Sequence, residues 1–193
     1  IGPLHKQTIT TETNLLIALL ALNETSKFES LASKTIRNAS ELIQREAPLM
    51  PSEDRRAFAN DLPNIFEITF SAAAHIPSGA NLALFSRLNR QGLLEEIEKL
   101  QAQLAALPGP QQQAAQQLRA LDQQISSLSL SAQQRQSLKS KHDNLERQLY
   151  RLLPALKPRI IEVDQVTAAL HAGSALVEFQ RYQPYDGKKK PDE

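Results

Sequence analysis

Cysteine is absent from the 193-residue chain, and glycine and aromatic residues are scarce. Without cysteine the chain can form no disulfide, offers no thiolate nucleophile and cannot bind zinc through sulfur. Its four histidines, His5, His75, His142 and His171, lie too far apart in the sequence to predict a ligand cluster. We therefore expect no metal and no other cofactor.

Neither the net charge nor the longest apolar run predicts that the chain binds nucleic acid or a membrane. Lys and Arg number 22 against 21 Asp and Glu, so the net charge is only +1 and creates no strong global field. The longest apolar run, residues 15–22, is far shorter than the roughly 20 residues of a membrane-spanning helix. Its flanks offer only Lys6 as a basic residue and place Glu12 nearby, which argues against a signal peptide. We expect a cytoplasmic protein without a membrane partner.

Eleven prolines fall mostly where helical periodicity stops, and they divide the chain into helices. Helices are predicted over residues 12–22, over residues 26–47 with a capping box at the start, and from Ser52 onward. The first two would form a helical hairpin. With Phe28 near the inter-helix turn, this hairpin is similar to one degenerate tetratricopeptide unit, and residues 1–79 are predicted to be a helical, tetratricopeptide-like bundle.

Leucines recur at helical spacing in three successive segments. One long helix is predicted over residues 80–107, and two more follow between breaks at 108–110, 129–131 and Pro154. A 4-3-4-3 spacing keeps one apolar row on the same side of each helix, so that the helices can pack together. The sequence predicts a folded antiparallel coiled-coil hairpin within residues 80–157, whose packing seam consists of Leu93, Ile97, Leu100, Leu104, Leu118, Leu121, Leu145, Leu149 and Leu152.

The second of these three helices is rich in glutamine and admits another interpretation, a disordered low-complexity stretch. Its leucine period continues without interruption, and a disordered segment would not require one. A helix is therefore favoured. The third helix should begin with a capping box formed by Ser131 and Gln134.

Residues 158–193 have a different pattern, which predicts a short β-α-β fragment. Residues 159–163 and 175–182 are rich in strand-favouring types, and residues 164–171 should form a short helix between them. Two strands alone are marginally stable in water. A sheet should therefore be completed by further residues of the parent protein or by another chain.

The predicted fold class is mainly α: a helical bundle with the coiled-coil hairpin, followed by the β-α-β fragment. The lysine-rich residues 188–190 are predicted to belong to a flexible basic tail.

No catalytic motif is recognisable in the chain. It contains no glycine-rich phosphate loop and no GxSxG, HExxH or calcium-loop pattern. Glu95 and Glu98 are one turn apart, but they face away from the leucine seam, where a solvated surface is favoured over acid–base chemistry. His142 occupies a seam position. A His in a helix interface or facing solvent is favoured over metal binding, because no second ligand is expected at a useful spacing. The residues alone do not predict an enzyme.

Basic residues on the first and third of the leucine-rich helices could form a stripe for nucleic acid. They are Arg87, Arg90, Lys99, Arg147 and Arg151. Acidic residues alternate with them, and aromatic side chains that stack on bases are sparse. Nucleic acid is therefore disfavoured as a partner.

Three segments resemble parts of a known family: ANLALFSRLNRQGLLEEIE at 80–98, LERQLYRLLP at 145–154 and ALVEFQRYQPYD at 175–186. They resemble the region that follows the repeats in bacterial proteins that join tetratricopeptide repeats to a CHAT domain, a caspase-like module. The likeness covers about residues 52–187. The last segment is the most specific, because it resembles the opening strand of the CHAT domain. The resemblance implies that Val177 and Phe179 form one face of this first sheet strand.

This resemblance implies a non-catalytic connector that positions a caspase-like domain relative to sensing repeats. In that family the expected activity is cysteine peptidase chemistry that uses a His and a Cys, but neither position can be placed on this chain. The implied partner is protein, namely the remainder of the CHAT domain in the same chain or in a second one. Two alternatives stay open: a free-standing coiled-coil scaffold that pairs with another copy, and one piece of a two-chain CHAT cysteine peptidase.

Overall fold

The computed structural model describes residues 2–62, 64–73, 75–126, 130–153 and 157–184. Over these residues the chain is mainly helical and contains no strand. In chain order the helices are α1 (Lys6–Ala21), α2 (Thr25–Glu46), α3 (Ser52–Asn60), α4 (Ile65–Ala73), α5 (Gly79–Leu88), α6 (Leu93–Ala105), α7 (Pro110–Ile125), α8 (Ala132–Leu152) and α9 (Val163–Ala169), with a short 3-10 helix (Ala47–Leu49) after α2. The predicted mainly α class is confirmed.

The chain divides into two compact units, each made of segments that are distant in sequence. The first unit comprises residues 1–43, 60–91 and 158–193, and the second comprises residues 44–59 and 92–157. The predicted boundary after residue 79 does not separate them, because α4 and α5 pack against each other within the first unit.

The core of the first unit forms mainly on α2 and α4. Along α2 the fully buried side chains recur every three or four residues, as a helix with one apolar face requires: Phe28, Ala32, Ile36, Ala39 and Ile43. Helix α4 is buried on nearly every side, as its composition predicts. Helix α1 contributes Ile9 and Leu16 to the core.

Two helix starts differ from the predictions. Helix α1 begins at Lys6, well before residue 12, because the His5 side chain accepts a hydrogen bond from the backbone N–H of Gln7 and caps the helix. The capping box expected at Ser26 is wrong, since α2 already includes Thr25 and the N–H of Phe28 donates to the carbonyl of Glu24.

The single helix predicted over residues 80–107 is also wrong. Helix α5 ends at Leu88 and α6 begins at Leu93, and Gly92 between them has φ +72°. This left-handed conformation is readily adopted by glycine and costs other residues energy. The glycine therefore ends one helix and allows the next to start, although the leucine period runs on.

In the second unit, α7 packs along α8 as a helical hairpin. A cluster of buried residues at this hairpin includes Ala105, Leu118, Leu149 and Leu153. Helix α8 begins with the predicted capping box, which is confirmed: the Gln134 N–H donates to Ser131 Oγ over 3.2 Å, and the Ser131 N–H donates to Gln134 Oε1 over 2.9 Å.

The β-α-β prediction is wrong for both strands in the described residues. Helix α9 is present, but residues 159–162 and 174–184 have no strand structure, and Val177 and Phe179 are 68% and 84% exposed. A strand needs the hydrogen bonds of a neighbouring strand, and local composition cannot supply them. The predicted flexible tail at residues 188–190 lies outside the described residues.

Candidate functional site

The segment after α9, residues 174–184, is the clearest candidate for an interaction site, and we call it the docked segment. It lies on α4 and α5 through side-chain contacts. Arg87 of α5 donates from Nε to Glu178 Oε2 over 2.8 Å and from Nη1 to Gln180 Oε1. The ring of Tyr182 lies 5.8 Å from that of Phe70 on α4.

The contacts of the docked segment alternate along the chain. Residues 178, 180 and 182 all contact helices of the first unit, and in an extended chain residues two apart point to the same side. Val177 and Phe179 lie between these contacts and are largely exposed. The docked segment therefore has one face bound to the helices and an apolar face in solvent.

The backbone of the docked segment is nearly unpaired. Within the described part of the chain, no backbone–backbone hydrogen bond involves residues 175–182. One anchoring contact follows at its end, where the N–H of Gln183 donates to Glu67 Oε2 over 2.9 Å. Unpaired N–H and C=O groups along an extended segment form a template on which another strand can pair.

A second feature of the first unit is a polar cleft of about 450 Å³ beside α2, α5 and α9. Arg37 binds Glu162 through both of its terminal nitrogens, one of them at 2.8 Å, and its guanidinium lies 4.8 Å from the centre of the Phe85 ring. The hydrogen bonds from Arg37 hold the pKa of Glu162 below its ordinary value and raise that of Arg37. Because Glu162 caps α9, this pair fixes the start of that helix on α2.

The second unit contains a cleft of about 470 Å³ with several titratable groups. His142 Nε2 lies 3.1 Å from Asp122 Oδ1 on the facing helix, and its Nδ1 lies 3.5 Å from Asp143 Oδ1. His142, Asp143 and Glu146 place one potential ligand atom each within 4.8 Å of one another. These are residue types that could hold a divalent cation.

Each member of this group already has a partner within the chain. Glu146 is buried, and its carboxylate accepts hydrogen bonds from Tyr150 Oη at 2.5 Å and from the Ser52 N–H at 3.2 Å. The Arg55 guanidinium, also buried, lies 4.4 Å from the centre of the Tyr150 ring. Burial and the hydrogen bond to Glu146 raise the pKa of Tyr150. These contacts make His142, Asp143 and Glu146 part of a polar network that joins α3, α7 and α8.

Sequence reasoning missed part of this network. Glu146 lies four residues after His142 and therefore on the same face of α8, a spacing that the prediction for His142 overlooked. Asp122 is on a different helix, and only the hairpin brings it to His142. The i, i+4 spacing was therefore visible in the sequence, whereas the contact across the hairpin was not.

The predicted seam residues occupy different environments in the second unit. Leu118 and Leu149 are buried in its core with Leu104 and Leu145 packed beside them, Leu93 and Ile97 are buried on α6, and Leu121 is partly buried. Leu100 and Leu152 are 38% and 52% exposed. The nine residues therefore do not form one buried row. On α6 the buried residues recur every four positions, at Leu93, Ile97, Gln101 and Ala105, so the predicted 4-3-4 spacing fails at Leu100.

The remaining predicted surface groups lie in solvent or in ion pairs. Glu95 and Glu98 are exposed on α6. The basic residues proposed as a stripe are divided between the units, with Arg87 bound to Glu178 in the first and Arg147 3.9 Å from Asp54 in the second. Arg90 instead lies 5.4 Å from the centre of the Phe66 ring in the first unit.

Comparisons with known proteins add no relative: no protein-family model, curated protein or solved structure matches the chain. Every helix in the described ranges is too short or too polar to cross a bilayer. The resemblance to repeat-plus-CHAT proteins therefore stays a prediction.

Proposed function

We propose that this chain is a non-catalytic helical connector and protein-interaction segment of a tetratricopeptide–CHAT protein. The supporting observation is the docked segment, which contacts α4 and α5, exposes Val177 and Phe179, and within the described residues has no backbone–backbone hydrogen bond at 175–182. It coincides with the segment whose sequence resembles the opening strand of a CHAT domain.

In this proposal, residues 175–182 become a β-strand when the remainder of the CHAT-like sheet pairs with them. The strand-favouring composition supports the conversion, and the missing element is a neighbouring strand. Val177 and Phe179 would then be covered by the sheet's core. The chain itself contributes position, and because it has no cysteine it cannot supply the thiolate of a cysteine peptidase.

The experiment expresses the 193-residue chain and, separately, the polypeptide encoded downstream of residue 193 in the parent reading frame. A CHAT-like downstream polypeptide should bind the chain, and Val177→Asp with Phe179→Asp should abolish binding because two charges would be buried in the sheet. Leu22→Asp, at another exposed apolar position, is the matched control and should bind normally. A downstream sequence without a CHAT domain, or binding that survives the double substitution, would refute the proposal.

One observation favours the coiled-coil scaffold as a second candidate. Leu100, Leu107 and Leu152 of the second unit are exposed, and a second copy of the chain could cover them. Light scattering on the purified chain separates the two candidates. A monomer excludes the scaffold, whereas a dimer that Leu152→Asp dissociates supports it.

A further inference from the structure

Arg87 contacts two side chains of the docked segment at once. Its Nε donates to Glu178 and its Nη1 to Gln180. Nη1 also donates a longer hydrogen bond of 3.4 Å to Gln91, which lies just after the end of α5 and not in the docked segment. The Arg87 side chain is only 18% exposed. An arginine fork can bind two acceptors in fixed geometry, whereas a lysine presents a single charge.

The spacing of the contacts fixes the register of the segment. Glu178, Gln180 and Tyr182 span about 13 Å at ~3.3 Å per residue, and all three contact the first unit. A shift by one residue would place Val177 and Phe179 against Arg87, and these side chains offer its guanidinium no acceptor. One register is therefore strongly favoured over its neighbours.

We infer that Arg87, with Glu178 and Gln180, forms a clasp that holds the docked segment in a single extended register on α5. The clasp uses the even-numbered face, so a strand that pairs along the backbone and covers Val177 leaves it intact. One consequence rests on the proposed function: a CHAT-like domain that pairs with the docked segment would be connected to α5 through Arg87. The clasp itself needs no partner.

The test measures backbone order in the isolated 193-residue chain by ¹⁵N NMR relaxation. In the wild type, residues 176–183 should have order parameters near those of the helices, about 0.8, and Arg87→Ala should lower them below about 0.6. Arg87→Lys should give an intermediate value, because it keeps a charge near Glu178 and loses the fork. Arg56→Ala, at an exposed arginine on α3, is the control and should match the wild type.

Glu178→Gln provides a second variant that lies on the segment and cannot disturb α5 directly. It should also lower the order parameters, while the amide signals of α1 and α2 stay unchanged in both variants. A segment that is disordered in the wild type, or equally ordered in Arg87→Ala, overturns the inference. Because no partner is present, this result is independent of the binding experiment above, and either proposal can fail alone.

Discussion

Leu149→Ala tests the hairpin core of the second unit. Leu149 is 4% exposed on α8 and packs in the cluster with Ala105, Leu118 and Leu153. Leu152 lies three residues later on the same helix but is 52% exposed. The two leucines therefore provide a matched pair in which side-chain type and helix are constant and burial differs.

The magnitude follows from the atoms removed and the space left behind. Truncating Leu149 removes the equivalent of three methylene groups, a transfer term of about 2.4 kcal/mol at ~0.8 kcal/mol each. A cavity term adds to this, but partly buried neighbours such as Leu104 and Leu145 can relax into the space. We expect a loss of about 2–3 kcal/mol, toward the lower end of buried Leu→Ala substitutions. Leu152→Ala should cost less than about 0.5 kcal/mol.

Urea unfolding followed by circular dichroism measures both losses, and hydrogen exchange locates them. The amides of α7 and α8 should lose protection in Leu149→Ala, whereas those of α1 and of residues 25–43 in α2 should keep it, because these belong to the other compact unit. A difference between Leu149→Ala and Leu152→Ala below about 1 kcal/mol would refute the assignment of the core. Equal loss of protection in α1 and α2 would refute the independence of the two units.

Three further predictions concern a turn, a cap and an ion pair. Gly92→Ala should lower the free energy of unfolding by about 1 kcal/mol. The cause is the left-handed backbone alone, since a Cβ at Gly92 meets no atom within 4 Å. Gly92→Asn should lower it less in the same urea titration. Ser131→Ala should cost about 1 kcal/mol and speed exchange of the Gln134 amide, because that N–H loses its acceptor. Arg37 lowers the pKa of Glu162, so their pair stabilises the fold above the pKa of an unfolded glutamate and is lost as the pH falls through the folded value. A double-mutant cycle should give a coupling of about 0.5–1 kcal/mol at pH 7, and a coupling that is unchanged at pH 3 would contradict this account.

Periodicity predicted the helices well where one face is buried along the whole helix. Helix α2 buries a residue at each turn from Phe28 to Ile43, and this pattern predicted a helix over residues 26–47. The observed helix, Thr25–Glu46, differs from that prediction by one residue at each end. The break at Gly92 had a local signal, since glycine commonly follows a helix end, but the leucine spacing on both sides outweighed it. The leucine spacing shows that the segments before and after Gly92 are each helical, but it does not show that they form one helix.

The candidate site was predictable only in part. Composition predicted a strand over residues 175–182, and the family resemblance implied that Val177 and Phe179 form one of its faces. The anchoring contacts could not be derived, because Arg87 lies 91 residues before Glu178 in sequence. Such pairings depend on the fold of the whole unit, and no local pattern encodes them.

The end of α5 explains how extended segments can keep fixed paths without a sheet. Just beyond that helix, the buried Asn89 side chain accepts the N–H of Ile161 over 2.8 Å and donates to its carbonyl over 2.9 Å, so one amide forms the two hydrogen bonds that an opposing strand residue would form. Two residues earlier, Arg87 binds Glu178 and Gln180 beyond the other end of α9. Both segments predicted as strands are thus held by polar side chains from the same stretch of chain. Their strand preference is consistent with this arrangement, since an extended backbone satisfies it while the hydrogen bonds come from side chains.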